Sequence, residues 1–248
     1  MATITRKRKR NQRKFYIIGM ILAGAVLCVS VLMMVLAHFG LFSTHKNKNP
    51  DGFLPQVEVI QNDTERLGYD LELQGVGRYA GIFLEDGSND SVSDILMIKI
   101  KNTGDKDLQL ARLSLTYSDF TAEFEITNLP AGRTVVVLEK NRHSYTDQKY
   151  LSVALTDVAF FGTHMDVCKH TYEITGMDGA LNLKNISGSD ITGDIYVYYK
   201  YTTGDELYGG ITFRVKAEGG LRSGEIRQLI SSHFDPDHCI ILSVNAGA

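Results

Sequence analysis

Tryptophan is absent from the 248 residues, proline occurs four times and cysteine three times. So few cysteines exclude a disulfide-dense scaffold, and so few prolines exclude collagen-like or proline-rich architecture. Acidic residues are missing altogether from residues 1–50, which hold nine of the 26 lysines and arginines. The other 17 basic residues share 51–248 with all 29 acidic ones, a net charge of −12. That sign argues against nucleic acid as a partner and against broad docking onto an anionic lipid surface. Familiar catalytic signatures are also missing. There is no Gly-x-Ser-x-Gly elbow, no His-Glu-x-x-His, no phosphate-cradling glycine loop and no dinucleotide fingerprint. A non-enzyme without a cofactor is the expectation.

Arg6, Lys7, Arg8, Lys9, Arg10, Arg13 and Lys14 run directly into an uncharged apolar stretch from Phe15 to Phe42. Roughly 20 helical residues cross a hydrocarbon core of about 30 Å, so the stretch predicts a transmembrane helix over 15–42. The positive-inside bias keeps the basic tail, 1–14, cytoplasmic and places the rest of the chain outside. A cleaved signal peptide is the rival reading, with Val35-Leu36-Ala37 as its cleavage-site candidate. Its apolar region usually spans only about 7–15 residues, which favours an uncleaved single-pass signal-anchor in the cell membrane. Residues 43–56 are polar and turn-forming, a linker.

Beyond the linker, Tyr, Val, Ile and Thr are frequent and glycines sit at turn-like places, an all-β palette. Alternating apolar runs recur at Asp94–Lys101, Leu108–Tyr117, Arg133–Leu138, Tyr150–Asp157, Ala180–Leu183, Asp194–Tyr201, Gly210–Val215, Glu225–Ile230 and Cys239–Val244. Gly204-Asp205 reads as a hairpin loop. Around Ser223–Phe234 the apolar spacing also fits a short helix. Ile195, Val197 and Tyr199 fall on one strand face, with Tyr196, Tyr198 and Lys200 on the other.

An internal repeat organises this region. Ile100-Lys101-Asn102-Thr103-Gly104-Asp105-Lys106-Asp107-Leu108 aligns with Leu183-Lys184-Asn185-Ile186-Ser187-Gly188-Ser189-Asp190-Ile191 at an offset of 83 residues. Leu129-Pro130-Ala131-Gly132-Arg133 is echoed by Gly220-Leu221-Arg222-Ser223-Gly224-Glu225. Two β-sandwich domains are expected, 57–160 and 161–248.

The pattern apolar-x-Lys-Asn-x-Gly-x-x-Asp-apolar, followed by a glycine turn before the next strand, resembles immunoglobulin-like sandwich modules of bacterial surface proteins. The runs Ile195–Tyr201 and Gly209–Val215 are similar to those of uncharacterised single-pass membrane proteins of Gram-positive bacteria. The resemblance implies two immunoglobulin-like antiparallel β-sandwiches in an extracytoplasmic part. It transfers no catalytic residue, because a sandwich hosts many unrelated functions.

Cys168 and Cys239 are the two cysteines beyond the apolar stretch, and they are a disulfide candidate; two separate buried thiols are the alternative. His164, Cys168 and His170 in one segment, with His233, His238 and Cys239 in another, have the ligand types of a zinc site. Their spacing matches no established motif, and surface histidines are the commoner outcome. The loop from Glu85 to Asp94 is rich in hard oxygen donors of the calcium-binding type, without EF-hand spacing. Tyr196, Tyr198, Tyr201 and Tyr208 form a candidate binding face, or serve as cross-strand partners within a sheet. The leading functional reading is a membrane-anchored extracytoplasmic binding protein with a protein or cell-envelope partner. A structural accessory subunit of a membrane or envelope complex is the alternative, and a metal-dependent enzyme on the His/Cys cluster is the third.

Overall fold

The computed structural model describes residues 55–246, with side chains through Asn245. The expected basic tail, the span 15–42 and all but the last two residues of the linker lie outside the described residues. Among the described residues no helix is long and apolar enough to cross a membrane. All regular elements among the described residues are strands: β1 (Gln56–Gln61), β2 (Glu65–Gly68), β3 (Leu71–Ile82), β4 (Ser91–Asn102), β5 (Leu108–Thr116), β6 (Thr121–Leu129), β7 (Thr134–Leu138), β8 (Ser152–Phe160), β9 (Tyr172–Met177), β10 (Ala180–Asn185), β11 (Ile195–Thr203), β12 (Glu206–Ala217), β13 (Ile226–Ile230) and β14 (Cys239–Ala246). The short helix considered for 223–234 is strand β13 instead. There Leu229 faces the core, while Ile226 and Ile230 point to solvent.

Three sheets result. An eight-stranded sheet runs β1-β3-β4-β7-β12-β11-β14, with β2 added on β3. Two three-stranded sheets, β6-β5-β8 and β13-β10-β9, pack against it. Six strands of the first half therefore form β3-β4-β7 over β6-β5-β8, and six of the second form β9-β10-β13 over β12-β11-β14. In chain order the two sets are connected identically. The described residues form one compact unit. The expected division at 160/161 falls between β8 and β9, while Glu206–Tyr208 of β12 pair in parallel with Thr134–Val136 of β7 to join the halves in one sheet.

Alternation in the central strands explains why both faces of that sheet are buried. On β4, Leu96, Ile98 and Ile100 enter one core with Leu113, Leu115, Phe124 and Ile126 of the β6-β5-β8 sheet. Ile95 and Met97 enter the other, shared with Leu181, Leu183, Val197, Tyr199 and Phe213. On β7, Val135 and Val137 join the first core while Val136 and Leu138 join the second. Each such side chain contributes roughly 1.5–3 kcal/mol on leaving water. Close approach also matters at the sheet edge: a Cβ on Gly77 would lie 1.9 Å from the Glu58 carbonyl of β1, so only glycine lets β1 pair there.

The repeat seen in the sequence is a repeated hydrogen-bond network. Asn102 is fully buried; its Nδ2 donates to the carbonyls of Lys106 at 2.8 Å and Leu129 at 3.2 Å, and its Oδ1 accepts from Gly104 N–H at 3.1 Å. Asn185, equally buried, donates to Ser189 at 2.7 Å and Leu221 at 3.1 Å and accepts from Ser187 N–H at 2.9 Å. Asp107 Oδ1 accepts from Ala131 N–H at 2.8 Å, as Asp190 Oδ1 does from Ser223 N–H at 2.8 Å. Each asparagine thus ties a strand end, the following turn and a distant strand start together, satisfying polar groups that burial would otherwise leave unpaired.

Candidate binding surface and the seam beneath it

The outward row of β11 carries Tyr196, Tyr198 and Lys200, as alternation predicts, and ends in the junction of the halves. Across to β12, Tyr196 pairs with Lys216 and Tyr198 with Arg214. The Arg214 guanidinium lies 4.9 Å above the Tyr196 ring, a cation–π contact on the outer face of the sheet. Lys216 Nζ sits 3.3 Å from Asp194 and 2.9 Å from Glu218, so its charge is locally matched. Both tyrosines are half-buried, whereas Tyr201 and Tyr208 are core residues at 4% and 7% exposure. The expected four-tyrosine face is corrected to two: alternation turns Tyr201 inward on β11, and Tyr208 faces it across the strand pair.

Lys200 continues the outward row yet is completely buried. Its ammonium donates to three consecutive carbonyls, Gly209 at 2.8 Å, Gly210 at 2.7 Å and Ile211 at 2.6 Å, where β12 bulges opposite β11. Three donors meeting three acceptors match the charged form of lysine. Burial, partly offset by the Glu85 charge, lowers the ammonium to about 7. Glu85, on the loop after β3, takes the opposite side of the same backbone. Its carboxylate accepts from Leu138 N–H at 2.9 Å, Gly210 N–H at 2.9 Å and Ile211 N–H at 3.2 Å. Burial raises its pKa, and those N–H groups lower it again. Carboxylate and ammonium therefore clamp the peptide groups of 209–211 between them, with a residue from each half on either side. Gly210 is required there, since a Cβ would meet the Glu125 carbonyl at 1.9 Å.

The remaining candidates are dispersed. Cys168 Sγ lies 3.6 Å from the Val244 carbonyl near the far end of β14, which Cys239 opens. Five residues at about 3.4 Å each separate the thiols by roughly 17 Å, against the Cα separation of about 4.4–6.8 Å that a disulfide needs. Both cysteines are free, so the Cys168–Cys239 bridge is not formed. Burial raises both thiols, Cys239 to about 12, which keeps them protonated. His164 Nδ1 faces buried Asp107 at 3.4 Å, His170 is exposed, His233 Nδ1 lies 2.9 Å from Asn89 and His238 Nδ1 lies 2.9 Å from Asp235. Among the described residues no three His, Cys, Asp or Glu side chains converge. Arg142 takes up the oxygens of the Glu85–Asp94 loop: its guanidinium reaches Asp86 at 2.6 Å, Asp90 at 2.9 Å and Ser88 at 3.2 Å, above the Phe83 ring.

One groove of about 630 Å³ lies along β1 and β3, lined by Pro55, Val57, Tyr79 and Asp94 among others. Its charged groups are occupied, with Arg78 bonded to Glu58 at 2.7 Å. Strand alternation marks Tyr196 and Tyr198 in the sequence, whereas no motif marks the buried clamp. The signal for Lys200 was a lysine on a row otherwise filled by tyrosine, opposite two adjacent glycines. Comparison with protein-family models, curated proteins and solved structures finds no match to this chain.

Proposed function

We propose that this chain is a membrane-anchored extracytoplasmic interaction protein, acting by binding rather than catalysis. Residues 1–14 stay inside, 15–42 cross the membrane, and 43–56 tether two immunoglobulin-like sandwiches, 57–160 and 161–248, fused along one sheet. The lysine and arginine bias supports the orientation: seven of them precede the apolar stretch within residues 1–14, against Lys46 and Lys48 in 43–56. The topology of the two six-strand sets supports the immunoglobulin-like reading, with three strands facing three in each half.

The observation that carries the binding reading is the Tyr196–Tyr198–Arg214 surface. Tyrosine and arginine are the side chains that concentrate binding energy at interfaces, because they bring large contact area with a polar tip. Here they stand on a sheet whose backbone is clamped by Lys200 and Glu85, so little ordering entropy remains to be lost on association. The partner is a protein or a cell-envelope component reached from the membrane surface.

A photo-crosslinking residue at Tyr198 in intact cells tests this. A defined adduct that fades in a Tyr196→Ala/Arg214→Ala chain is the expected result. Absence of any adduct at Tyr198, with adducts forming equally at a distant site such as Thr156, overturns the assignment of this face. Resistance of residues 55–246 to protease added outside whole cells overturns the orientation.

A further inference from the structure

We propose that two copies of this chain pair through β13, edge to edge and antiparallel, with Gln228 of each copy opposite Gln228 of the other. The inference comes from comparing β13 with its counterpart β7. The pairing registers are identical in the two halves: Ile100 with Val135, Lys101 with Thr134 and Met97 with Leu138 correspond to Leu183 with Arg227, Lys184 with Ile226 and Ala180 with Ile230. Thr134, Val136 and Leu138 of β7 thus match Ile226, Gln228 and Ile230 of β13. The outer edge of β7 is taken by β12, and Val136 and Leu138 are buried at 0% and 1% exposure. The outer edge of β13 ends its sheet, and Ile226 and Ile230 stand 61% and 67% exposed. Met177, in the same row as Ala180 and Ile230, is 40% exposed.

Backbone directions fix the register. Asn185 N–H donates to the Glu225 carbonyl at 3.0 Å and Ser231 N–H to the Gly179 carbonyl at 2.9 Å, so the odd-numbered residues of this stretch turn their peptide groups towards β10. Those of Ile226, Gln228 and Ile230 consequently point to the open edge. A two-fold axis through Gln228 lets the pairs 226–230, 228–228 and 230–226 exchange about six N–H···O=C bonds. The same register sets Ile226 against the other copy's Ile230 twice, an apolar cross-strand pair in each case. Charge is compatible with it. Glu173 bonds Lys184 at 2.8 Å within each copy, no like charges stand directly opposite, and the two Arg227 side chains that meet diagonally across the axis are each matched by their own Glu225 at 2.6 Å. The contact is isologous and closes on itself.

A five-residue edge with four isoleucines covers less than a stable free dimer buries. Anchors held in one bilayer supply the missing effective concentration, and this step rests on the anchored reading above. The test is disulfide trapping of the full chain carrying Gln228→Cys, with the unsubstituted chain alongside. Directly opposed hydrogen-bonded residues have Cα atoms about 5.5 Å apart, within disulfide range. Mild oxidation of membranes is expected to give a disulfide-linked dimer. Asn182→Cys, on the same face but three strands from its symmetry mate, is expected to give none, and adding Ile226→Asp with Ile230→Asp is expected to abolish the Gln228→Cys dimer. No dimer, equal dimer from Asn182→Cys, or an adduct with another protein in its place overturns the pairing. Oxidation is run on both intact cells and lysed membranes, so pairing is judged whichever side the domain faces. Labelling of Gln228→Cys by an impermeant thiol reagent judges the anchored reading separately.

Discussion

Leu138 and Ile230 occupy the same register position in the two halves, yet one is 1% exposed and the other 67%. The turns around them are built from the same bonds, and their neighbours Met97 and Ala180 pair with them identically. What differs is what covers that face of the strand. Leu138 points into the core shared with Leu181, Leu183 and Tyr199 of the second half, at the junction that the Glu85–Lys200 clamp locks. Ile230 stands on the face of β13 turned away from that core, into which Leu229 points. Burial here is a property of the junction between halves rather than of the strand itself, and a duplicated fold acquires a different surface wherever its copy of the junction is left unmade.

The largest break in this comparison is expected at Lys200. Lys200→Met keeps the volume but leaves Glu85 buried without its counter-charge and three carbonyls without donors. Removal of one partner of a buried pair costs about 3–5 kcal/mol. A fall of that size in unfolding free energy, followed by far-UV circular dichroism in denaturant, is the expected outcome. A loss below about 1 kcal/mol would mean the carbonyls are satisfied without the ammonium. Next in size is the pair Leu138→Ala and Ile230→Ala. A buried leucine truncated to alanine costs about 2–5 kcal/mol, while an exposed position usually changes stability by about 0.5 kcal/mol or less. Equal losses would show that the register match does not translate into the burial difference.

Much of this fold was legible because period two is unambiguous where one face is buried. Leu113 and Leu115 on β5 and Val197 and Tyr199 on β11 announce their strands. Gly204-Asp205 announces its hairpin, with Gly204 at a φ of +60°. The strand β3 was not legible, because Gly75, Gly77 and Gly81 interrupt the apolar period for the sake of β1 and Tyr79 packing. The parallel β7–β12 junction was not legible either: β7 reads as a continuous apolar run, which says that both faces are covered but not by what. The surface fared worse than the core. Tyr201 and Tyr208 have the composition of a binding face and the position of a core, and Lys200 is buried only because a distant loop brings Glu85 to the same peptide groups. Charge and aromatic content are local properties, whereas the clamp depends on two residues 115 positions apart in sequence meeting the same peptide groups.

The smallest effect sharpens the comparison rather than breaking it. Asn102→Ala and Asn185→Ala each delete one buried amide that serves two carbonyls and one N–H, so each is expected to cost about 1–3 kcal/mol. The two networks share these bonds, with Asn185 Oδ1 accepting in addition from the Ser187 hydroxyl at 2.7 Å, so the two losses are expected to agree within about 1 kcal/mol. Both should appear in one unfolding transition, since β7 and β12 share a sheet and neither half can release its core without opening the junction. Two separable transitions, with Asn185→Ala lowering only one of them, would show that the halves are independent folding units joined at the edge, and that the shared sheet adds orientation without adding cooperativity.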